Sequence, residues 1–363
     1  MARSPLPFLL RCLAVFAACA AGYAGLFLAQ IGAPAEGGYW VARVSALKRH
    51  LAARESQPKI LLMGGSSGMF GLKTRMFQES FQRPAFNLCL HAGMELSVLV
   101  DQTLDVLGPG DVLLMHLENS YERSIQNATR DTVFMTGMMR TAMPEIFWRR
   151  DWAGKWKAFR SMPPLQVVQG ALVRWSGPKL IRLHPDRDPR QSAVDYIAAW
   201  EREVKPWGST RPEGFQDENY GSMWLYDPWG DIVRLPEITK ERVPHEENYG
   251  WDKPVGLQPS DEAALDRLRT ASRRLGVRVF LVPTPLLESR TWQAGDADFQ
   301  RRMDDRRRLY ARWGIEALGD PADFIYPRNA FYDTARHLRT STSLEHTRKI
   351  IRLLEERLGP DGR

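Results

Sequence analysis

Apolar and polar positions along this chain fall into three kinds of run. The first is an unbroken apolar stretch, Cys12 to Ile31, twenty residues without a charge. At about 1.5 Å of rise per residue, a helix of that length crosses roughly 30 Å, the hydrocarbon thickness of a bilayer. Arg3 and Arg11 precede it, so the positive-inside rule keeps the N-terminus cytoplasmic and exports everything after Ala33. The expectation is a single-pass anchor over residues 1–35 in the inner (cytoplasmic) membrane, with a periplasmic or otherwise extracytoplasmic body. Two rivals stay open. Ala33-Pro34-Ala35 resembles a signal-peptidase site, and Phe16-Ala17-Ala18-Cys19 faintly resembles a lipobox.

Short apolar runs bounded by turn residues are the second kind, and they predict buried strands at 59–63, 84–90, 111–117 and 277–282. Between them lies the third kind, apolar residues at helical spacing. One such stretch is 96–107, stopped by Gly108-Pro109-Gly110. Another begins at Ser260, a predicted N-cap, and ends at Gly276, with Leu265, Leu268 and Leu275 on one face. A basic helix is predicted from about Asp298 to Trp313 and a last one from about Thr342 to Leu358. Strands alternating with helices predict an α/β fold with a mostly parallel central sheet. Residues 36–58 read as a polar linker. The alternation lapses between 121 and 256, a stretch holding nine of the twelve Trp, which marks an insertion and not a linker. The body is therefore expected in two parts, 59–120 and 257–363.

Composition adds exclusions. The chain has 363 residues, 44% hydrophobic and 26% charged, which is globular and excludes a disordered or fibrous protein. Cys12 and Cys19 lie in the apolar run, so Cys89 is alone in the body and no disulfide can form there. No cluster of Cys, His or acids has metal-ligand spacing, and no metal or organic cofactor is expected. The formal charge of +7 is spread over the chain, suits an acidic surface or polymer, and does not mark a nucleic-acid binder.

In open α/β sheets, sites gather beyond the carboxyl ends of the strands. This chain places Ser66 and Ser67 after the first strand, His91-Ala92-Gly93 after the second and Glu118-Asn119 after the third. A late loop adds Asp333 and His337. A serine, a histidine that accepts its proton and a carboxylate that orients the histidine are the parts of acyl transfer, with backbone N–H groups and an amide to hold the oxyanion. The Gly-Gly-Ser-Ser-Gly turn also resembles a phosphate loop, but no Lys follows as in a Walker motif. His116 and Cys89 sit inside apolar strands and read as core residues, and His91 as a packing residue.

With these residues, the chain resembles the SGNH (GDSL-like) hydrolase superfamily, within it the exported, membrane-anchored branch of alginate O-acetylation and teichoic-acid D-alanylation proteins. The resemblance covers about 59–118 and 260–358. Gly65-Ser66-Ser67 stands where the exported branch has Gly-Ser-Ser, which implies Ser67 as nucleophile and its N–H as an oxyanion donor. Gly93 matches the second-block glycine and Asn119 the third-block asparagine, although Glu118 replaces the glycine expected before it. Asp333 and His337 match the last acid and base, with one residue more between them than the usual Asp-x-x-His. The resemblance implies a three-layer sandwich of the SGNH or flavodoxin-like kind. It also implies a serine O-acyltransferase or esterase, O-acetyl in the first instance, acting on a cell-surface or exopolysaccharide and supplied by a membrane-bound O-acyltransferase. Two other readings are open: a non-catalytic subunit of a polysaccharide acylation or assembly complex, and a lipase-like esterase for small substrates.

The insertion is less specific. Trp148, Trp152 and Trp156 recur every four residues among Arg149, Arg150, Lys155 and Lys157. Such a stripe suits sugar stacking, the membrane interface or an ordinary core face. The segment 219–231 is rich in turn residues and is expected to line a cleft.

Overall fold

The computed structural model describes residues 6–33, 39–122, 143–176, 193–205, 222–232, 237–247, 249, 251–252 and 254–359. Its early elements are α1 (Leu6–Ala29), α2 (Tyr39–Ala53), β1 (Ile60–Gly64), α3 (Ser66–Gly71), α4 (Thr74–Phe81), β2 (Ala85–Asn87), α5 (Leu96–Leu104) and β3 (Val112–His116). The middle of the chain is helical: α6 (Pro144–Arg149), α7 (Trp152–Ser161), α8 (Pro164–Ser176) and α9 (Ala193–Glu203). Then follow α10 (Pro259–Leu275), β4 (Arg278–Leu281), β5 (Leu286–Leu287), α11 (Ala297–Ala311), β6 (Glu316–Ala317), β7 (Ile325–Tyr326) and α12 (Thr340–Leu358). The chain divides into two compact units, Met1–Ala42 with Thr132–Ser192, and Arg43–Asp131 with Ala193–Arg363.

The second unit is α/β. Among the described residues, five strands form one sheet in the order β2-β1-β3-β4-β6, every neighbouring pair parallel. β1 and β3 are buried at every position, as strands covered on both faces must be, which is why they read as continuous apolar runs. They pair in register from Ile60↔Val112 to Gly64↔His116. The connection that leaves β1 goes to β2 on one side, and the connection that leaves β2 goes to β3 on the other. The carboxyl ends of β1 and β3 therefore flank the point where the strand order reverses, the usual place for a ligand. A separate two-stranded parallel pair joins β5 to β7.

Several expectations shift by small, explicable amounts. α10 starts at Pro259, not after Ser260, because proline is well suited to the first helical position. Its stop at Gly276 is as expected, in the left-handed conformation. Regular β2 ends at Asn87, yet Leu88 and Leu90 still donate to Leu62 and Gly64 of β1 at 2.8 and 3.0 Å, so the segment follows β1 as far as anticipated.

Two expectations of organisation fail. The polar linker is mostly helix: α2 buries Val44, Leu47 and Lys48 in one stripe, a periodicity hidden by the polar residues between them. The Trp-rich stretch is not one insertion. Its described residues 143–176 belong with α1 to the first unit, and those from 193 onward belong to the α/β unit. Part of the latter segment runs along the edge of β2. Asn87 donates its N–H to the Trp229 carbonyl at 2.8 Å, and Asp231 accepts from the Asn87 amide at 2.9 Å and from the Thr74 N–H at 2.5 Å. The described part of 219–231 thus closes a sheet edge, with Leu225, Tyr226, Asp227 and Asp231 buried, and does not form the expected cleft wall.

α1 in the first unit is long and apolar enough to be a membrane span or a signal sequence.

Candidate active site

The loop carrying Asp333 and His337 is shaped by the backbone. Phe331 and Leu338 form an antiparallel bridge, and the Tyr332 N–H donates to the His337 carbonyl at 2.8 Å. The intervening residues are forced into a tight loop, and the Asp333 carboxylate meets His337 Nδ1 at 2.6 Å. The extra residue between acid and base is absorbed by that loop. Asp333 is buried and also accepts from Arg242, while the His337 side chain keeps 11% of its surface exposed. Among the described residues the His337 ring has no hydrogen-bond partner except Asp333, which leaves Nε2 unengaged. Arg242, Glu247, Arg336, Asp333 and His337 line an open depression of about 490 Å³.

The expected pairing of Ser67 with His337 is not formed. Ser67 is wholly buried, and its hydroxyl is 3.2 Å from His116 Nδ1. His116 Nε2 lies 3.1 Å from His346 Nε2, and His346 Nδ1 lies 3.2 Å from the Tyr326 hydroxyl, a buried chain of four side chains. Burial holds His116 at about 3 and His346 well below its ordinary value, so both imidazoles are neutral near pH 7. His116 is thus the satisfied core histidine its apolar surroundings predict, but its partner is the residue expected to be the nucleophile.

The reason lies in α3, which begins at Ser66. Successive helical residues turn by about 100°, so Ser66 and Ser67 face different neighbours. The Phe70 ring stacks on the His337 imidazole with centroids 3.9 Å apart and planes 3° from parallel. α3 thus meets His337 through Phe70, and of the two serines Ser66 alone keeps slight exposure. No sequence signal separates two adjacent serines. Only the start of the helix does.

The expected oxyanion donors fare unequally. The Ser67 N–H donates to Glu118 Oε1 at 2.8 Å, and the Gly93 N–H donates to His91 Nδ1 at 2.9 Å, so both amides are engaged. Glu118 fits because Gly65 has no side chain: a Cβ there would lie 2.2 Å from Glu118 Oε2. The Asn119 side-chain nitrogen is buried and has no partner among the described residues. His91 lies near His337, and burial together with that neighbouring imidazole lowers it to about 4. Accepting at Nδ1 puts its proton on Nε2.

Arg242, Glu247, Arg336 and Phe70 escaped the sequence reading, and Ser66 was placed at the end of the first strand without being given a role. Arg242 and Glu247 come from the stretch without periodicity, and Arg336 and Phe70 stand beside residues that drew attention for other reasons. Cys89 is a buried thiol pushed up by burial, as expected of a small core residue. No grouping of three or more His, Cys, Asp or Glu capable of holding a metal occurs among the described residues. Compared with protein-family models, curated proteins and solved structures, the chain matches none.

Proposed function

We propose that the protein is an exported, membrane-anchored serine acyltransferase or esterase of the SGNH-like kind, acting on hydroxyl groups of a cell-surface or exopolysaccharide. One observation carries the reading: a buried carboxylate holds His337 by Nδ1 at 2.6 Å beside an open depression, with Nε2 unengaged. In this proposal Ser66, not Ser67, attacks the acyl carbonyl, and its proton passes to His337 Nε2 as the C–O bond forms. Asp333 fixes the tautomer and stabilises the imidazolium, and the Asn119 amide holds the oxyanion. Collapse of the tetrahedral intermediate expels the donor's alcohol, protonated by His337. A sugar hydroxyl or water then attacks the acyl-serine by the reverse steps. The depression suits a polymer better than a narrow apolar slot would. The packing of α5 on α10, and of α3 and α4 on α12, supports the finer three-layer arrangement. The anchor reading of α1 puts the protein in the inner membrane with its body outside the cytoplasm, where a membrane-bound O-acyltransferase is the proposed acyl source.

The test uses the full-length chain in detergent, with p-nitrophenyl acetate and a fluorophosphonate probe. Ser66→Ala and His337→Ala are expected to lower turnover by about 10³-fold or more and to abolish labelling, whereas Ser67→Ala retains both. The reverse result for the two serines makes Ser67 the nucleophile. Activity untouched by all three variants removes serine catalysis. A second reading, a non-catalytic platform in an acylation or assembly complex, is favoured by the two engaged amides of Ser67 and Gly93, and it predicts no labelling of the parent chain.

A further inference from the structure

The first unit presents two kinds of apolar surface that its own fold leaves uncovered. α1 is one: only 6% of its apolar window is buried, far from the burial of a core helix. α8 is the other. It packs one face against α1, where Gly170 lies so close to Gln30 that a Cβ would meet Gln30 Oε1 at 2.6 Å. On the opposite face Leu165, Val168, Leu172 and Trp175 are all exposed. Their spacing of three, four and three residues makes one stripe along the helix. Trp148 on α6, with Trp152 and Trp156 on α7, is exposed too, Trp152 to 85%. Monomeric proteins seldom leave so many large apolar side chains uncovered on one small unit.

We infer that α6–α8 lie in the interface of the same bilayer that α1 spans, with the α8 stripe and the α7 tryptophans immersed among anionic phospholipids. Depth is the argument. Phe159 of α7 packs on Tyr23 and Phe27 of α1 at 5.3 and 5.0 Å, and Phe147 of α6 packs on Phe27 at 5.7 Å. Tyr23 and Phe27 lie eight and four residues before Ile31, where the apolar stretch ends. At about 1.5 Å per residue those contacts sit about 12 and 6 Å below its end, the depth at which interfacial helices settle. A span that crosses the membrane therefore brings α6 and α7 to the headgroup level through contacts already present. Charge agrees. Residues 143–176 hold six Lys or Arg and two acids, and Lys155 lies over the Trp152 ring at 5.5 Å. Tryptophan beside cationic side chains is the composition that membrane interfaces favour, and a basic surface is drawn to anionic lipid.

The inference rests on α1 being retained as a span, so the test reports both. In full-length protein with Cys12 and Cys19 replaced by Ala, nitroxide labels are placed by Phe16→Cys, Trp152→Cys and Leu172→Cys. The protein is reconstituted into vesicles of phosphatidylethanolamine and phosphatidylglycerol. All three substituted positions are exposed, so folding is not at stake. Collision rates with oxygen and with a water-soluble nickel chelate give the depth of each label. The expected result is oxygen-dominated relaxation at all three, deepest at position 16 and shallower at 152 and 172. Nickel-dominated relaxation at 152 and 172, with position 16 still in lipid, overturns the docking and leaves the anchor standing. Nickel access at position 16 overturns the anchor and the docking with it. Shielding of position 172 from both reagents means that protein covers the stripe, which also overturns the proposal.

Discussion

Replacing His116 by Asn isolates one link of the buried chain beneath α3. The side-chain amide of Asn occupies roughly the place of Nδ1, so the contact with Ser67 at 3.2 Å can be kept, while the far half of the ring and its 3.1 Å contact with His346 are lost. A buried His346 nitrogen left unpaired costs about 1–3 kcal/mol, and the small void adds to that, so a loss of about 2–4 kcal/mol is expected at pH 7.5. Acid changes the comparison. His116 is held at about 3 in the fold against 6.5 when free, so between those values the unfolded chain binds the proton and the fold does not. Its contribution to stability is therefore complete above about pH 6.5 and falls as the pH drops. At pH 5 the parent has lost about 1.4 kcal/mol for each of 1.5 units, about 2 kcal/mol, through this group alone. The Asn variant has no such proton to bind. Urea unfolding followed by Trp fluorescence in detergent should show the stability gap shrinking by about 2 kcal/mol between pH 7.5 and pH 5. Groups remote from position 116, Asp227 with its raised carboxyl among them, titrate in both chains and cancel in the difference, while His346, freed of the neighbouring imidazole that helps hold it down, takes a proton more readily in the variant and shrinks the gap further. A gap that holds constant or widens would refute the reasoning, because it would mean that His116 takes up its proton inside the fold as readily as outside.

The contrast between Gly68 and Gly71 is tested by alanine at each. A Cβ at position 68 would meet Cys89 Sγ at 2.5 Å, so Gly68→Ala should cost about 1–3 kcal/mol in the same unfolding assay. At position 71 the nearest atoms are 3.7 and 3.8 Å away, and Gly71→Ala should be neutral or stabilising by up to about 1 kcal/mol. Arg306 is buried, donates to Glu122 at 2.5 Å and also donates to the Leu117 carbonyl at the end of β3. Arg306→Met should therefore destabilise by about 3–5 kcal/mol, with much of the loss recovered in the Arg306→Met/Glu122→Met double variant; equal losses in single and double variants would refute a desolvation cost. Because burial raises the Cys89 thiol, a maleimide at pH 7.5 should leave it unmodified until urea unfolds the α/β unit, as mass spectrometry of its peptide would report.

The sheet was legible in the chain because buried parallel strands leave a plain mark, a continuous apolar run ending in glycine or a turn. Ile60–Gly64, Val112–His116 and Arg278–Leu281 lie within a residue of the runs that announced them. β6 and β7 were not legible, since two-residue strands carry no period. α2 was missed because Arg43, Lys48 and Arg49 interrupt its apolar stripe, although Lys48 is itself buried, donating to the Cys89 carbonyl at 2.7 Å. Sequence order anticipated the pairing of Asp333 with His337, because the two lie close together in the chain. It did not anticipate that Ser67 bonds His116 and not His337, since that environment depends on where a six-residue helix begins. Arg242 was beyond reach: its contact with Asp333 joins residues ninety-one apart through a segment without periodicity.

The composition of α3 follows from how tightly it is held. Gly64, just before it, approaches the His116 backbone so closely that a Cβ would lie 2.0 Å from the carbonyl oxygen. Gly65 faces the Glu118 carboxylate, and Gly68 faces Cys89 and His116. Small residues recur there because β2, β3 and the helix converge on one spot, and this packing accounts for the glycines without any phosphate to cradle. The same crowding divides the two serines between different tasks. The turn that carries Ser67 looks inward, where its hydroxyl completes a buried polar chain and its N–H satisfies Glu118. Phe70 of the same helix stacks on the His337 imidazole as a wall. A hydroxyl spent on a buried, neutral histidine is closed to substrate, whereas the adjacent Ser66 keeps slight exposure. In the proposed acyl transfer the reactive oxygen is therefore that of Ser66, on a helix that these glycines let approach the sheet closely.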